Sequence, residues 1–163
     1  MDEDVRIEVA KTDQLEQIVL CWLDLIADQR EFGTHMIVGE NRSPGRDILG
    51  RYVARDNLLV ARQTERDGDA GLGDSIVGFV MFQIERGLFE QDVTRGFVEN
   101  LYVVPSERNR GVGTALLERA EAHLKRNGAE VVALSAMAEN EGAREFYRKR
   151  GYTPHRITYE REV

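Results

Sequence analysis

The sequence predicts one α/β domain built on a mixed sheet, and three observations carry that expectation. Short alternating or continuous apolar runs, bounded by polar or glycine-rich stretches, recur along the chain as strands. Between them stand segments whose apolar residues return every three to four positions, as in helices. No repeat, linker or low-complexity stretch divides residues 1–163, a length that suits a single domain with a substantial core.

Taken in order, residues 5–10 (VRIEVA) form a first strand. A helix follows, with Thr12 as its N-cap and with Leu15, Ile18, Val19, Trp22, Leu25 and Ile26 on one face. Residues 31–45 have no period and contain Gly33, Gly39, Pro44 and Gly45, so they read as a long loop of the kind that often carries function. A shorter helix covers residues 46–56. Residues 57–63 and 75–86 read as two strands joined by a polar, glycine-rich turn, hence an antiparallel hairpin. Residues 96–104 give another strand, and 112–128 a helix ended by Gly128. Residues 130–137 are a buried strand, 140–151 a short helix stopped by Gly151, and 153–162 a last strand.

Composition narrows the function classes. A hydrophobic fraction of 42% and a charged fraction of 31% are those of a water-soluble globular protein. No apolar run reaches membrane-spanning length, and the acidic amino terminus lacks a signal-peptide layout. The single cysteine, Cys21, allows no internal disulfide, which fits a cytoplasmic location. A net charge of −7 argues against nucleic acid as a partner. Lysine is confined to Lys11, Lys125 and Lys149; a high-salt cytoplasm and a GC-rich genome both produce that bias. There is no metal-ligand spacing.

The chemistry concentrates at residues 108–113, RNRGVG, between a strand and a helix. A phosphate-binding P-loop would need Lys-Ser or Lys-Thr after the glycines, and a dinucleotide fingerprint a third glycine. Neither is present. Read by itself, the hexapeptide also fits a tight surface turn. As an anion site it makes physical sense: the free N–H groups of Asn109 to Thr114 would face the mouth of the helix, and glycine at 111 and 113 would let phosphate oxygens approach the backbone.

The string Arg108-x-x-Gly111-x-Gly113 resembles the pyrophosphate-binding loop of the GNAT superfamily of N-acetyltransferases. Downstream, Asn140-x-x-Ala143-x-x-Phe146-Tyr147-x-x-x-Gly151-Tyr152 is similar to that family's second cofactor motif, and VENLYVVP upstream is similar to its central strand. The resemblance implies a mixed, mostly antiparallel twisted sheet of six to seven strands flanked by about four helices. It implies acetyl-CoA as co-substrate, its pyrophosphate on Arg108, Asn109, Arg110, Gly111, Val112, Gly113 and Thr114. Its pantetheine arm would pair with the backbone of Leu101, Tyr102 and Val103, with Asn140 bonding the arm and Ala143 and Phe146 packing beside it. Arg144, Arg148, Lys149 and Arg150 add positive charge near both motifs.

Acetyl transfer to an amine has two proton problems. An alkylammonium with a pKa near ~10.4 must lose a proton before attack, and the departing thiolate must be stabilised. By the resemblance, Tyr147 serves the sulfur; the other reading packs it in the core beside Phe146. Glu99, expected on one strand face with Phe97, Leu101 and Val103, matches a glutamate that similar small-amine acetyltransferases carry and that draws the amine's proton through water. Pairing of Glu99 with an arginine stands as the equal alternative. His123 reads as structural, His155 has no assigned role, and His35 lies in the loop expected to border the acceptor.

The expected activity is therefore N-acetylation of a small-molecule amine or a protein amino terminus by direct transfer, with no metal, in a homodimer paired through last strands. A polyamine is disfavoured because Asn100 follows Glu99 where diamine enzymes tend to carry a second acid. The rival reading is a non-catalytic acyl-CoA-binding sensor or assembly module; a nucleotide-binding α/β domain is more distant.

Overall fold

The computed structural model describes residues 5–64, 75–87 and 89–163; the glycine-rich turn expected before residue 75 lies outside them. One sheet runs in chain order through β1 (Val5–Val9), β2 (Leu58–Gln63), β3 (Ser75–Ile84), β4 (Arg95–Val103) and β5 (Val131–Leu134). Every pairing is antiparallel except β4 with β5, which is parallel. The sheet is thus mixed and mostly antiparallel, as expected, with β2 and β3 antiparallel neighbours.

Two cores form, one on each face. Helix α1 (Leu15–Arg30) buries Ile18, Val19, Trp22 and Ile26 with Leu49 and Val53 of α2 (Arg42–Val53) against Leu58, Val60 and Phe79. Helix α3 (Val112–Arg126) places Leu116, Leu117, Ala120 and Leu124 over Val80, Phe82 and Val98 on the other face. Phe146 and Tyr147 of α4 (Glu141–Arg148) join that second core. The alternation of β3 explains the division, since Phe79 faces one core while Val80 and Phe82 face the other.

Four expectations need correction. A 3₁₀ turn over Thr12–Gln14 precedes α1, and Gln14 reaches back to the Lys11 N–H at 2.8 Å, so Thr12 is not a side-chain cap. Helix α2 starts at Arg42 and takes in Pro44 and Gly45, which had been assigned to the loop. Proline is tolerated in the first turn because its absent N–H would have had no partner there. Gly45 lies so close to the Trp22 ring that a Cβ would stand 2.2 Å from Cζ3. Strand β5 covers 131–134 rather than 130–137.

The fourth correction is the strand count, which is five among the described residues. Residues 153–163 form no strand and are exposed throughout. Pro154 can give no ladder hydrogen bond, and no strand among the described residues pairs with the rest. The segment is held by its side chains: Arg156 lies near Glu85, and His35 meets Glu160 at 3.1 Å.

Candidate active site

Three local features converge beside β4. The parallel ladder with β5 ends at the Val98–Leu134 pair, so over Glu99–Val103 β4 is paired by β3 alone among the described strands. In the same stretch Phe82 pairs with Val98 and Met81 with Asn100, leaving Glu99 as the extra residue of a β-bulge. The strand then leads through a 3₁₀ turn, Pro105–Glu107, into the glycine loop and α3.

The bulge changes what the strand presents. Regular alternation would put Glu99 with Leu101 and Val103; instead both of these pack on the α3 side. Glu99 shares its side with Gln83, whose Nε2 donates to Oε1 at 2.7 Å. The Tyr52 phenol of α2 lies near this carboxylate; burial first, then the charge of Glu99, push Tyr52 up to about 12. The neighbours of Glu99 are therefore a neutral amide and a phenol, and no arginine forms an ion pair with it among the described residues. Neither Tyr52 nor Gln83 was singled out from sequence, although the hairpin register would have pointed to Gln83.

The glycine loop is shaped for an anion. Asn109 (φ 61°) and Gly111 (φ 85°) both adopt left-handed backbone, and Gly111 is the N-cap of α3. Alternation of left- and right-handed residues turns successive N–H groups inward. Helix α3 itself supplies no acceptor for the N–H groups of Val112, Gly113 and Thr114, because the first intrahelical bond runs from Ala115 N to Gly111 O. Gly113 is open, with the Phe146 ring and Val103 at ordinary contact distance from a built Cβ.

The two loop arginines are occupied by carboxylates. Arg108 donates from Nε to the Val103 carbonyl at 2.8 Å and from Nη2 to Asp28 at 2.5 Å, and lies 5.5 Å from the Tyr102 ring centroid. Arg110 donates to Oε1 of the buried Glu107 at 3.2 Å. These contacts tie the loop to α1 and to its own turn. Arg150 is placed differently: its guanidinium lies over the Phe146 ring at 3.6 Å, donates to the Phe146 carbonyl at 2.8 Å and bonds the Thr114 hydroxyl in the first turn of α3. Its Nε is buried without a hydrogen bond.

On α4, Asn140 caps the helix by accepting from the Ala143 N–H at 3.0 Å. Phe146 and Tyr147 stand edge to face, and Tyr147 packs in turn on Tyr152. Burial pushes the Tyr147 phenol up to about 12. Tyr152 is anchored through its hydroxyl to Glu121 at 2.5 Å. His123 packs against Phe82 with the two rings tilted and their centroids 5.0 Å apart, and burial lowers its pKa. His35 is a surface residue of the α1–α2 connection, and His155 is exposed.

The sequence profile of the acetyltransferase (GNAT) family matches residues 24–152. An uncharacterized N-acetyltransferase of Methanocaldococcus jannaschii is 40% identical over 55 residues, 34% of this chain and 24% of that protein's length. The chain thus spans about a quarter of that curated relative. A GCN5-related N-acetyltransferase from Ralstonia eutropha superimposes with a TM-score of 0.72 at 24% identity, covering 97% of this chain and 98% of the other. The aminoglycoside N-acetyltransferase AAC(6')-Iy, solved in complex with CoA, gives 0.72 at 18% identity over 97% and 94%. At these identities the two structures show a shared fold. No helix of the described residues is long and apolar enough to cross a membrane, and no three His, Cys, Asp or Glu side chains among them group as a metal site.

Proposed function

The chain belongs to the GNAT acetyltransferase family, and from that premise we propose that it is an N-acetyltransferase moving acetyl from acetyl-CoA directly to a primary amine of a small molecule or peptide N-terminus. The observation that carries this reading is the coincidence of an incomplete β4–β5 ladder with an open helix N-terminus at the end of the same strand. A strand edge with free peptide groups suits the amides of a pantetheine arm, and the left-handed loop at Asn109 and Gly111 suits a pyrophosphate.

When bound, acetyl-CoA supplies an activated thioester. The residues around it divide the remaining work. The N–H groups of Val112, Gly113 and Thr114 hold phosphate, with Arg150 beside Thr114 adding positive charge. The backbone of Leu101, Tyr102 and Val103 aligns the arm, and the Leu101 N–H polarises the acetyl carbonyl. Asn140 keeps its amide end for the arm while its oxygen caps α4. The side chains of Arg108 and Arg110 act by fixing the loop.

Glu99 accepts the amine's proton through water, oriented by Gln83 and Tyr52. Tyr147 serves the departing sulfur. With its phenol near 12, against ~8.5 for an ordinary thiol, outright proton transfer would be uphill by roughly 5 kcal/mol. Hydrogen-bond donation to the thiolate is therefore its main role. Tyr147→Phe tests this: turnover should fall while acetyl-CoA affinity stays near wild type, and unchanged turnover would refute the assignment. Binding of acetyl-CoA without thiol release for any acceptor would favour the sensor reading.

We also place the protein in the cytoplasm as a homodimer paired through its C-terminal segment, where Ile157 and Tyr159 stand exposed two residues apart on a stretch with no strand neighbour.

A further inference from the structure

A cleft of about 850 Å³ opens at the end of the sheet where β3 ends and β4 begins. Its charged and titratable side chains are Arg55, Glu85, Arg86, Glu99 and His123. Two of these have their charge settled inside the protein. Arg95 grips Glu85 from Nε and, at 2.8 Å, from Nη2, with Arg156 nearby. Burial favours the neutral form of His123.

The other three have no opposite charge as partner. Glu99 accepts from Gln83, a neutral amide, with the neutral Tyr52 phenol close by. Arg55 and Arg86 are exposed, and neither makes an ion pair with a carboxylate among the described residues. Arg55 and Glu99 are also both close enough to Tyr52 for their charges to act on its phenol, in opposite directions. One cleft thus presents, among the described residues, a carboxylate with no charged partner and two guanidiniums with none.

On the N-acetyltransferase reading above, we propose that the acceptor is a small amine carrying its own carboxylate, with the amine at Glu99 and the carboxylate at Arg55, assisted by Arg86. A polyamine or an aminoglycoside fits this charge pattern poorly. It would bring several positive charges to a cleft whose one unpaired carboxylate is matched by two guanidiniums. An amino-carboxylate satisfies both ends, and guanidinium binds carboxylate in a fixed forked geometry that sets the reach of the substrate.

The test is thiol release from acetyl-CoA with matched pairs: glycine, β-alanine, γ-aminobutyrate, lysine and glutamate, each against its carboxamide, at equal concentrations of free amine. Spermidine, an aminoglycoside and short peptides complete the panel. For at least one pair, the acid should exceed its amide in kcat/KM by about tenfold or more, as loss of a charged hydrogen bond implies. Arg55→Gln should narrow that ratio through KM, and Arg55→Glu should invert it. Equal use of acid and amide, or preference for spermidine or the aminoglycoside, overturns the proposal while leaving the N-acetyltransferase reading intact. No thiol release with any acceptor of the panel, although acetyl-CoA binds, overturns both.

Discussion

Replacing Gly113 by alanine should separate fold from ligand binding, because the structure assigns opposite signs to its two effects. Gly113 is the second residue of α3, and a built Cβ meets two Phe146 ring carbons and a Val103 methyl at 3.6 Å. That is ordinary contact, so nothing inside the protein resists the methyl group. Glycine to alanine at an unstrained position stabilises by about 0.4–1 kcal/mol, chiefly by restricting the unfolded chain. For a chain of this size the melting temperature of the ligand-free protein should rise by about 1–4 °C. The same methyl is added beside the first N–H groups of α3, the ones proposed to receive phosphate. Displacing one charged hydrogen bond there weakens CoA binding by about 1.5–3 kcal/mol, roughly ten- to a hundredfold in Kd. Scanning calorimetry on the free protein and titration calorimetry with CoA read the two effects separately. Gly111→Ala is the control: at φ 85° a side chain is strained by about 1–2 kcal/mol, so stability should fall along with affinity. Wild-type CoA affinity in Gly113→Ala would mean that nothing approaches that methyl, and the phosphate assignment would fail.

The remaining expectations concern the core, the acid and base, and assembly. Gly45→Ala forces a methyl into the Trp22 ring and should destabilise by about 1–3 kcal/mol in urea unfolding; wild-type stability would show that the helix pair is not in close contact. Because the phenol of Tyr147 lies near 12, the rate profile should show no limb from its ionisation below about pH 10. A basic-side fall between pH 8 and 10 that disappears in Tyr147→Phe would contradict this. His123 has a folded pKa depressed below its reference 6.5, so the unfolded chain binds more protons there. Stability should accordingly be full above pH 6.5 and decline as pH falls toward the folded value; His123→Gln should flatten that decline. Light scattering should give a dimer at micromolar concentration, and removal of residues 153–163 should give a monomer; a monomeric full-length chain would refute pairing through this segment.

Much of the fold followed from interactions a few residues long. The face of α1 was legible because helical spacing alone collects Ile18, Val19, Trp22 and Ile26. The glycine turn into α3 and the stops at Gly128 and Gly151 were legible because glycine is the residue that most readily takes positive φ, as Gly111, Gly128 and Gly151 do. What the sequence could not determine depends on distant partners. Pro44 and Gly45 read as loop, yet they lie in α2, and only the packing shows that Gly45 meets the ring of Trp22, more than twenty positions earlier, where a Cβ would not fit. The resemblance places the arginines of RNRGVG at phosphate, but only the structure shows Arg108 meeting Asp28, Arg110 meeting Glu107, and Arg150 from another helix standing at Thr114. Residues 153–162 carry a strand's pattern, but a strand exists only when a neighbour completes its hydrogen bonds. The candidate base shows the division most sharply. Sequence named Glu99, while a one-residue bulge against β3 turned it away from Leu101 and Val103 toward Gln83 and Tyr52. Alternation along a strand is a local rule; the register that breaks it is set between two strands, by how both of their faces pack at once.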